Sequence, residues 1–272
     1  MPIEVKDLSF SYGKRQVLKD ISFRVDEGEF LSILGPNGVG KSTLFRCMLG
    51  LLSGYSGTVL VNGADIRHIS VQERAKHIAY IPQSSDPTFH FSVGDVVLMG
   101  TTSGLSAFQT PGKKALERRD WAMEKVGISH LTERCYHRLS GGEQRLVMIA
   151  RAIAQDAPIL MLDEPTANLD FGNQLRVLQQ IQALAKEGYT VIQTTHHPEQ
   201  SFQFSSRILA IQEGQILQDG SPRQVLTKEN MEKLYHVDVE VVSLMEDEAR
   251  ICIPKLKRSA EKWKERPYGF WC

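Results

Sequence analysis

Eight residues constrain this chain more than any others: Gly35-Pro36-Asn37-Gly38-Val39-Gly40-Lys41-Ser42 fits the pattern GxxxxGK[ST]. The pattern carries chemistry only between a buried strand and a helix, and both are readable here. Phe30-Leu-Ser-Ile-Leu34 is nearly all apolar, as a strand covered on both faces of a parallel sheet must be. Ser42 to Leu49 reads as a helix stopped near Gly50. The bare pattern arises by chance in about one chain in a hundred of this length; strand and helix in the right order make it a nucleoside triphosphate site. Its glycines let backbone N–H groups curl toward phosphate oxygens at a helix N-terminus. Lys41 then neutralises the β- and γ-phosphates, and the Ser42 hydroxyl binds Mg²⁺.

A second apolar run, Ile159-Leu-Met-Leu162, delivers Asp163 and Glu164 to the carboxyl edge of the sheet, where open α/β sheets bind ligands. Asp163 is suited to hold the water shell of Mg²⁺, and Glu164 to polarise an attacking water as general base. Further strands are expected at Thr190–Thr195 and Arg207–Ile211, with a helix near Gln174–Lys186. The first 33 residues read as β-rich: Ile3, Val5 and Leu8 begin one strand, Ile21, Phe23 and Val25 alternate in another, and Gly13 marks the turn between. A hairpin follows at Gly57–Val61 and Ala64–Ile66 around Asn62-Gly63, then a short strand at His77–Ile81. Helical spacing runs from about Ser92 to Arg151, in segments at Val93–Met99, Lys114–Val126 and Gln144–Ala154. Thr101–Gly112, rich in Gly, Ser and Thr, is expected to be a loop. The fold class is α/β: a phosphate-loop core with a parallel sheet, an antiparallel β subdomain and a helical insertion.

Composition narrows the function classes. Lys+Arg and Asp+Glu both total 32 in 272 residues, so the zero net charge excludes a wholesale basic footprint for nucleic acid, and no nucleic-acid partner is expected. No apolar run reaches the roughly 20 residues that span a bilayer, and MPIEVKDLSF has no signal-peptide stretch. Cys47, Cys135, Cys252 and Cys272 are scattered without CxxC spacing, which fits a reducing compartment. Lys255 to Arg266 holds six basic and two acidic side chains and reads as a solvated tail. The sequence has no guanine-reading NKxD and no kinase HRD–DFG set, since Asp170-Phe171-Gly172 occurs without an HRD element.

Leu139-Ser140-Gly141-Gly142-Glu143-Gln144 calls for a separate explanation. A Ser-Gly-Gly turn opening a helix is a second backbone anion site. One chain does not need two cradles for one nucleotide; two chains facing each other do. With the phosphate loop, LSGG, LMLDE and Thr194-Thr195-His196 in this order, the chain resembles the ATPase subunit of an ABC transporter over about residues 2 to 235. The resemblance implies ATP and Mg²⁺ as ligands, and a head-to-tail dimer with each ATP held between one phosphate loop and the other subunit's LSGG. It also implies two membrane permease subunits driven by dimer closure and, through them, a substrate-binding protein. The cassette is expected to span residues 1–240, with a helical subdomain at about 86–152, and residues 241–272 form an extension of unknown role.

Site residues carry over position by position. The loop from Gly35 to Ser42 and the adjoining Thr43 correspond to the nucleotide-binding element. Tyr12, 23 residues before Gly35, matches the aromatic that stacks on adenine, with Phe10 its nearest rival. Gln83 matches the glutamine that reaches Mg²⁺ and water; Ser140, Gly141 and Gly142 match the γ-phosphate contacts made across the dimer. Asn168-Leu-Asp170 matches the loop that couples the two sites. His196 matches the switch histidine and is favoured over His197 because it follows Thr-Thr directly. Two positions depart from the pattern: Glu143 where Gln is commoner, and Leu146 where many members have Arg.

The stretches Ser70–Gln83, Phe91–Gly100 and Leu169–Gln174 are similar to importers of iron–siderophore, haem, cobalamin and molybdate or tungstate. That likeness implies an ATPase at the cytoplasmic face of the membrane, serving transport of a metal chelate or an oxyanion. The competing reading is a soluble ABC ATPase of iron–sulfur cluster assembly. The surface around Gln83 and Phe89–Met99 separates them, since an importer subunit needs a groove there for its permease.

Overall fold

The structure, a computed structural model, describes residues 2–83, 91–104 and 111–255. It begins with the antiparallel pair β1 (Ile3–Tyr12) and β2 (Arg15–Val25), which turn about Gly13 at φ 59°. Strand β3 (Phe30–Leu34) is buried along its whole length and runs through the phosphate loop into α1 (Lys41–Met48). The hairpin β4 (Ser56–Val61) and β5 (Ala64–Asp65) turns on Asn62 and Gly63, both at positive φ as a two-residue hairpin turn requires. Next come α2 (Val71–His77) and β6 (Ile78–Ile81). The helical segment comprises α3 (Val93–Leu98), α4 (Lys113–Val126) and α5 (Gly141–Ala154). The chain then alternates through β7 (Ile159–Asp163), α6 (Phe171–Lys186), β8 (Thr190–Thr195), α7 (Pro198–Phe204) and β9 (Arg207–Gln212). It closes with β10 (Gln215–Gly220), α8 (Pro222–Val225), α9 (Lys228–Tyr235) and the hairpin β11 (Val239–Leu244) and β12 (Ala249–Pro254).

The central sheet has the order β10-β9-β3-β8-β7-β6, parallel except for β10 at the edge. Its inner strands β3, β7 and β8 are buried along their whole length because both faces are covered. The period of two divides their side chains: Leu160 and Leu162 face the helical cluster with Val147, Ile153 and Ile181. Ile159 and Met161 face the opposite cluster with Phe45, Met48 and the antiparallel sheet β2-β1-β4-β5. Because β3, β8 and β7 are adjacent and parallel, Gly35, Glu164 and His196 leave the same edge of the sheet, side by side. This juxtaposition builds the site.

Several elements differ from the sequence reading. The Ser70-Val-Gln-Glu73 stretch is a capped helix, α2: the Ser70 hydroxyl accepts from the Glu73 amide at 3.2 Å. The expected loop Thr101–Gly112 begins as a 3₁₀ turn over Met99–Gly104, and residues 105–110 lie outside the described residues. Residues after about 212 form β10, α8, α9 and a two-stranded hairpin, none of which periodicity revealed. Their short segments bury at most two residues each, among them Met231, Leu234 and Val239 in a third, small core with Phe202 and Val225. Phe89 and all but the first residue of Lys255–Arg266 lie outside the described residues.

Candidate functional site

The loop between β3 and α1 takes its shape from glycine. Gly40 adopts φ 112°, and a Cβ there would press on the Val17 carbonyl at 3.1 Å and on Leu18 at 3.0 Å. Gly38, at φ 81°, faces open space. Gly40 is also the N-cap of α1, so no side chain caps that helix and no acidic residue occupies its first turn. Its orphan N–H groups stay available to an anion. Beside them is a cleft of about 540 Å³ lined by Tyr12, Arg15, Val17, Asn37, Gly38, Gly40, Lys41, Ser42, Thr43, Gln83 and Glu164.

Lys41 is 5% exposed, and its ammonium donates to the Gly35 carbonyl at 2.7 Å and the Pro36 carbonyl at 3.0 Å. Burial pushes its pKa below the ordinary lysine value, opposed by the nearby Glu164 and Asp163 carboxylates. Glu164 Oε1 lies 3.7 Å from Lys41 Nζ, and Glu164 Oε2 accepts from the Gln83 amide at 3.2 Å. Asp163 Oδ1 accepts from Ser42 Oγ at 3.3 Å and from Thr194 Oγ1 at 2.5 Å. Thr194 Oγ1 accepts in turn from the Glu164 amide at 3.0 Å. Thr194 thereby ties the Asp163 carboxylate and the Glu164 backbone to β8. Glu164 sits at φ 43°, a left-handed conformation that non-glycine residues seldom adopt and that aims its side chain off the strand into the cleft.

The two alternatives left by the sequence separate in space. Phe10 is 7% exposed in the core, whereas Tyr12 is 47% exposed at the mouth of the cleft, with the Phe10 ring edge-on to it at 4.8 Å between centroids. His196 Nδ1 is 3.4 Å from Glu164 Oε1, outside hydrogen-bonding geometry; it is buried and has no hydrogen-bond partner among the described residues. The His197 ring lies 4.1 Å from that of His196, and burial, then the neighbouring His196, hold its pKa below the usual histidine value.

Ser140, Gly141, Gly142 and Asp170 do not line this cleft. Ser140 caps α5 in a reciprocal box: its hydroxyl accepts from the Glu143 amide at 3.3 Å, and its own amide donates to Glu143 Oε2 at 2.9 Å. The hydrogen bonds from Ser140 hold the Glu143 carboxyl below the usual range. Glu143 is thus a structural member of the turn, a role glutamine also fills. Leu146 is 4% exposed inside the helical core, where an arginine would have to bury its charge. Gly142 packs on α6: a Cβ would meet the Asn173 side chain at 2.5 Å. Asp170 caps α6 by accepting from the Asn173 amide at 2.9 Å, which lowers its carboxyl pKa.

Four residues at the site escaped the sequence reading: Arg15, Val17, Thr194 and Arg145. Arg15 and Val17 carry no spacing signal, and Thr194 in the sequence serves only to place His196. Arg145, 9% exposed, donates to the Pro82 carbonyl at 2.7 Å and the Gln83 carbonyl at 2.6 Å, fixing the backbone that presents Gln83. A lone guanidinium on the buried face of α5 was the available signal.

A helix N-terminus left uncapped for phosphate, a buried lysine and a carboxylate-tipped strand define a phosphate-loop nucleoside triphosphatase. The ABC transporter family profile matches residues 18–167. Over 242 residues, 89% of this chain and 92% of the relative, the chain is 40% identical to an uncharacterized ABC transporter ATP-binding protein of Haemophilus influenzae. It is 30% identical to an iron(3+)-hydroxamate import ATP-binding protein of Bacillus subtilis, covering 92% of this chain and 94% of that one. Among solved structures, a metal-chelate type ABC transporter in an inward-facing conformation superposes with a TM-score of 0.84. That match has 31% identity and covers 94% of this chain and 98% of the other. The chain belongs to the ABC transporter family.

Proposed function

We propose that this chain is the ATP-hydrolysing subunit of an importer for a metal chelate. It works as a head-to-tail dimer on a pair of membrane permease subunits at the cytoplasmic face, and serves a substrate-binding protein through them. The observation that carries the ATPase reading is the convergence of Lys41, Glu164 and the Ser42–Asp163 pair on one cleft under the uncapped end of α1. The import reading rests on near full-length likeness to the iron(3+)-hydroxamate import protein and the metal-chelate type transporter. The cassette on this reading is residues 1–240, with residues 241–272 appended.

The donor set suits the ligands. Lys41 and the amides of α1 grip the phosphates, and Tyr12 offers an aromatic face to adenine. The unpartnered His196 Nδ1 suits a phosphate oxygen. Ser42, Asp163 and Gln83 present the hard oxygen donors that Mg²⁺ prefers. Held there, Mg²⁺ would supply neutralisation of phosphate charge. Glu164 takes a proton from water as the water oxygen bonds to the γ-phosphorus and the bridging bond to ADP breaks, releasing phosphate. His196 orients the γ-phosphate beside it. Ser140, Gly141 and Gly142 close on the γ-phosphate of the opposite subunit, and Asp170 links the two sites.

Affinity purification from membranes tests the import reading. The chain is expected to co-purify with a polytopic membrane protein, and detergent-solubilised permease is expected to raise its ATPase rate. Recovery with a soluble iron–sulfur scaffold instead would sink it.

A further inference from the structure

The peptide unit joining His196 to His197 is held at both of its polar ends. Its carbonyl accepts a hydrogen bond from Tyr235 Oη at 3.1 Å, and its amide donates to Thr195 Oγ1 at 3.1 Å. Thr195 is the last residue of β8, paired with Leu34, so that end is anchored in the sheet. The other end is anchored elsewhere: Tyr235 is the last residue of α9, which belongs to the third core. The preceding peptide unit is held too, its Thr195 carbonyl accepting from the Gly35 amide at 3.3 Å; with rigid planes held on both sides of His196, the direction of its Cα–Cβ bond is fixed. It thereby sets how the imidazole lies against Glu164.

Tyr235 is itself firmly set. Met231 and Leu234 on the same helix are fully buried with Phe202, Val225 and Leu226, and the helix ends at His236 in a left-handed cap, φ 56°. A second tie runs in parallel, as Glu199 Oε1, at the start of α7, accepts from the Cys252 amide on β12 at 3.2 Å. A half-buried phenol commonly takes whatever acceptor is near. This one reaches past its own helix and hairpin, and the carbonyl it finds belongs to the residue beside Glu164. The segment following β8 is therefore joined to the C-terminal elements by two hydrogen bonds and by the packing of Phe202 in the third core.

We propose that Tyr235 is a positioning residue for His196, and that residues 228–254 form a brace setting the geometry of the segment after β8. The proposal rests on the reading of His196 as the residue that orients the γ-phosphate. Tyr235→Phe in the full chain tests it, since phenylalanine keeps the ring and the packing and removes only the hydroxyl. Turnover with ATP is expected to fall roughly three- to tenfold, the size of one neutral hydrogen bond. Nucleotide affinity is expected to stay within about twofold and the melting temperature within a few degrees, as for a surface-sized perturbation. The His196 imidazole resonances, assigned by comparison with His196→Ala, are expected to shift. In the His196→Ala background, Tyr235→Phe is expected to have no further effect on residual turnover. An unmoved kcat with unmoved imidazole resonances would overturn the brace. So would an equal loss of turnover with His196 absent, or a loss tracking only melting temperature. Full turnover by His196→Ala alone would instead refute the role assigned to His196, while the imidazole shift in Tyr235→Phe would still report the brace.

Discussion

The strand-end cleft and the Ser140–Gly142 turn are both helix N-termini suited to anions, and they are finished in opposite ways. Helix α1 starts at a glycine, has no side-chain cap and carries no acid in its first turn. Helix α5 starts at a serine, engages the Ser140 and Glu143 amides in its own capping box and presents its first turn at the surface, while most of the helix is buried. The first keeps its donors for a ligand within the chain, with a buried ammonium and two carboxylates fixed beside it. The second engages the Ser140 and Glu143 amides in its own box and lies outside the cleft, so its remaining donors meet an anion only when another surface is brought to them. A single chain thus holds one preorganised anion site and one self-capped helix N-terminus, the arrangement that the proposed ATP sandwich between two copies would use.

Four substitutions test that contrast. Glu164→Gln has the largest expected effect: kcat falls by about 10²- to 10⁴-fold, the usual weight of a general base. ATP binding and ATP-dependent dimerisation are retained, and unchanged turnover would refute the base assignment. Lys41→Ala removes charge-assisted hydrogen bonds of about 1.5–3 kcal/mol, so ATP binding to the isolated chain, measured by fluorescence titration, should weaken about 100-fold. Tyr12→Ala removes one stacking face at about 1–3 kcal/mol, a loss of roughly tenfold in affinity that Tyr12→Phe should restore. Ser140→Ala should be mildest in the single chain. It costs about 1 kcal/mol of helix capping and a few degrees of melting temperature, and it leaves monomer ATP affinity unchanged while dimer-dependent turnover falls. Were Ser140→Ala to weaken monomer binding as much as Lys41→Ala does, the contrast between the two helix N-termini would fail.

The legible parts of the chain were those whose chemistry is local. The phosphate loop, the β4–β5 turn at Asn62-Gly63 and the mainly apolar runs of β3 and β7 each follow from sterics or burial acting over a few neighbouring residues. The regions that stayed dark were α2, α7 and everything from β10 onward. Helix α2 buries no residue, and α9 buries Met231 and Leu234 alone, so neither leaves an apolar stripe long enough to read. Arg145 and Thr194 were equally hidden. Their partners lie 62 and 31 positions away, and only the packing of α5 against the Pro82 turn, and of β8 against β7, reveals them.

Residue order alone therefore determined the chemistry on offer: a triphosphate loop, a carboxylate pair at a strand end, a second Ser-Gly-Gly cradle and no apolar run long enough to cross a membrane. It did so because glycine freedom, strand burial and helix capping act at short range. Only the tertiary structure decided which groups meet. The order β3-β8-β7 brings Lys41, Asp163, Glu164 and His196 together from three separate strands. It also buries Phe10 while exposing Tyr12, and carries Tyr235 from the end of the chain to the His196 carbonyl. These are contacts across sheet order and between cores, where sequence distance carries no information about distance in space.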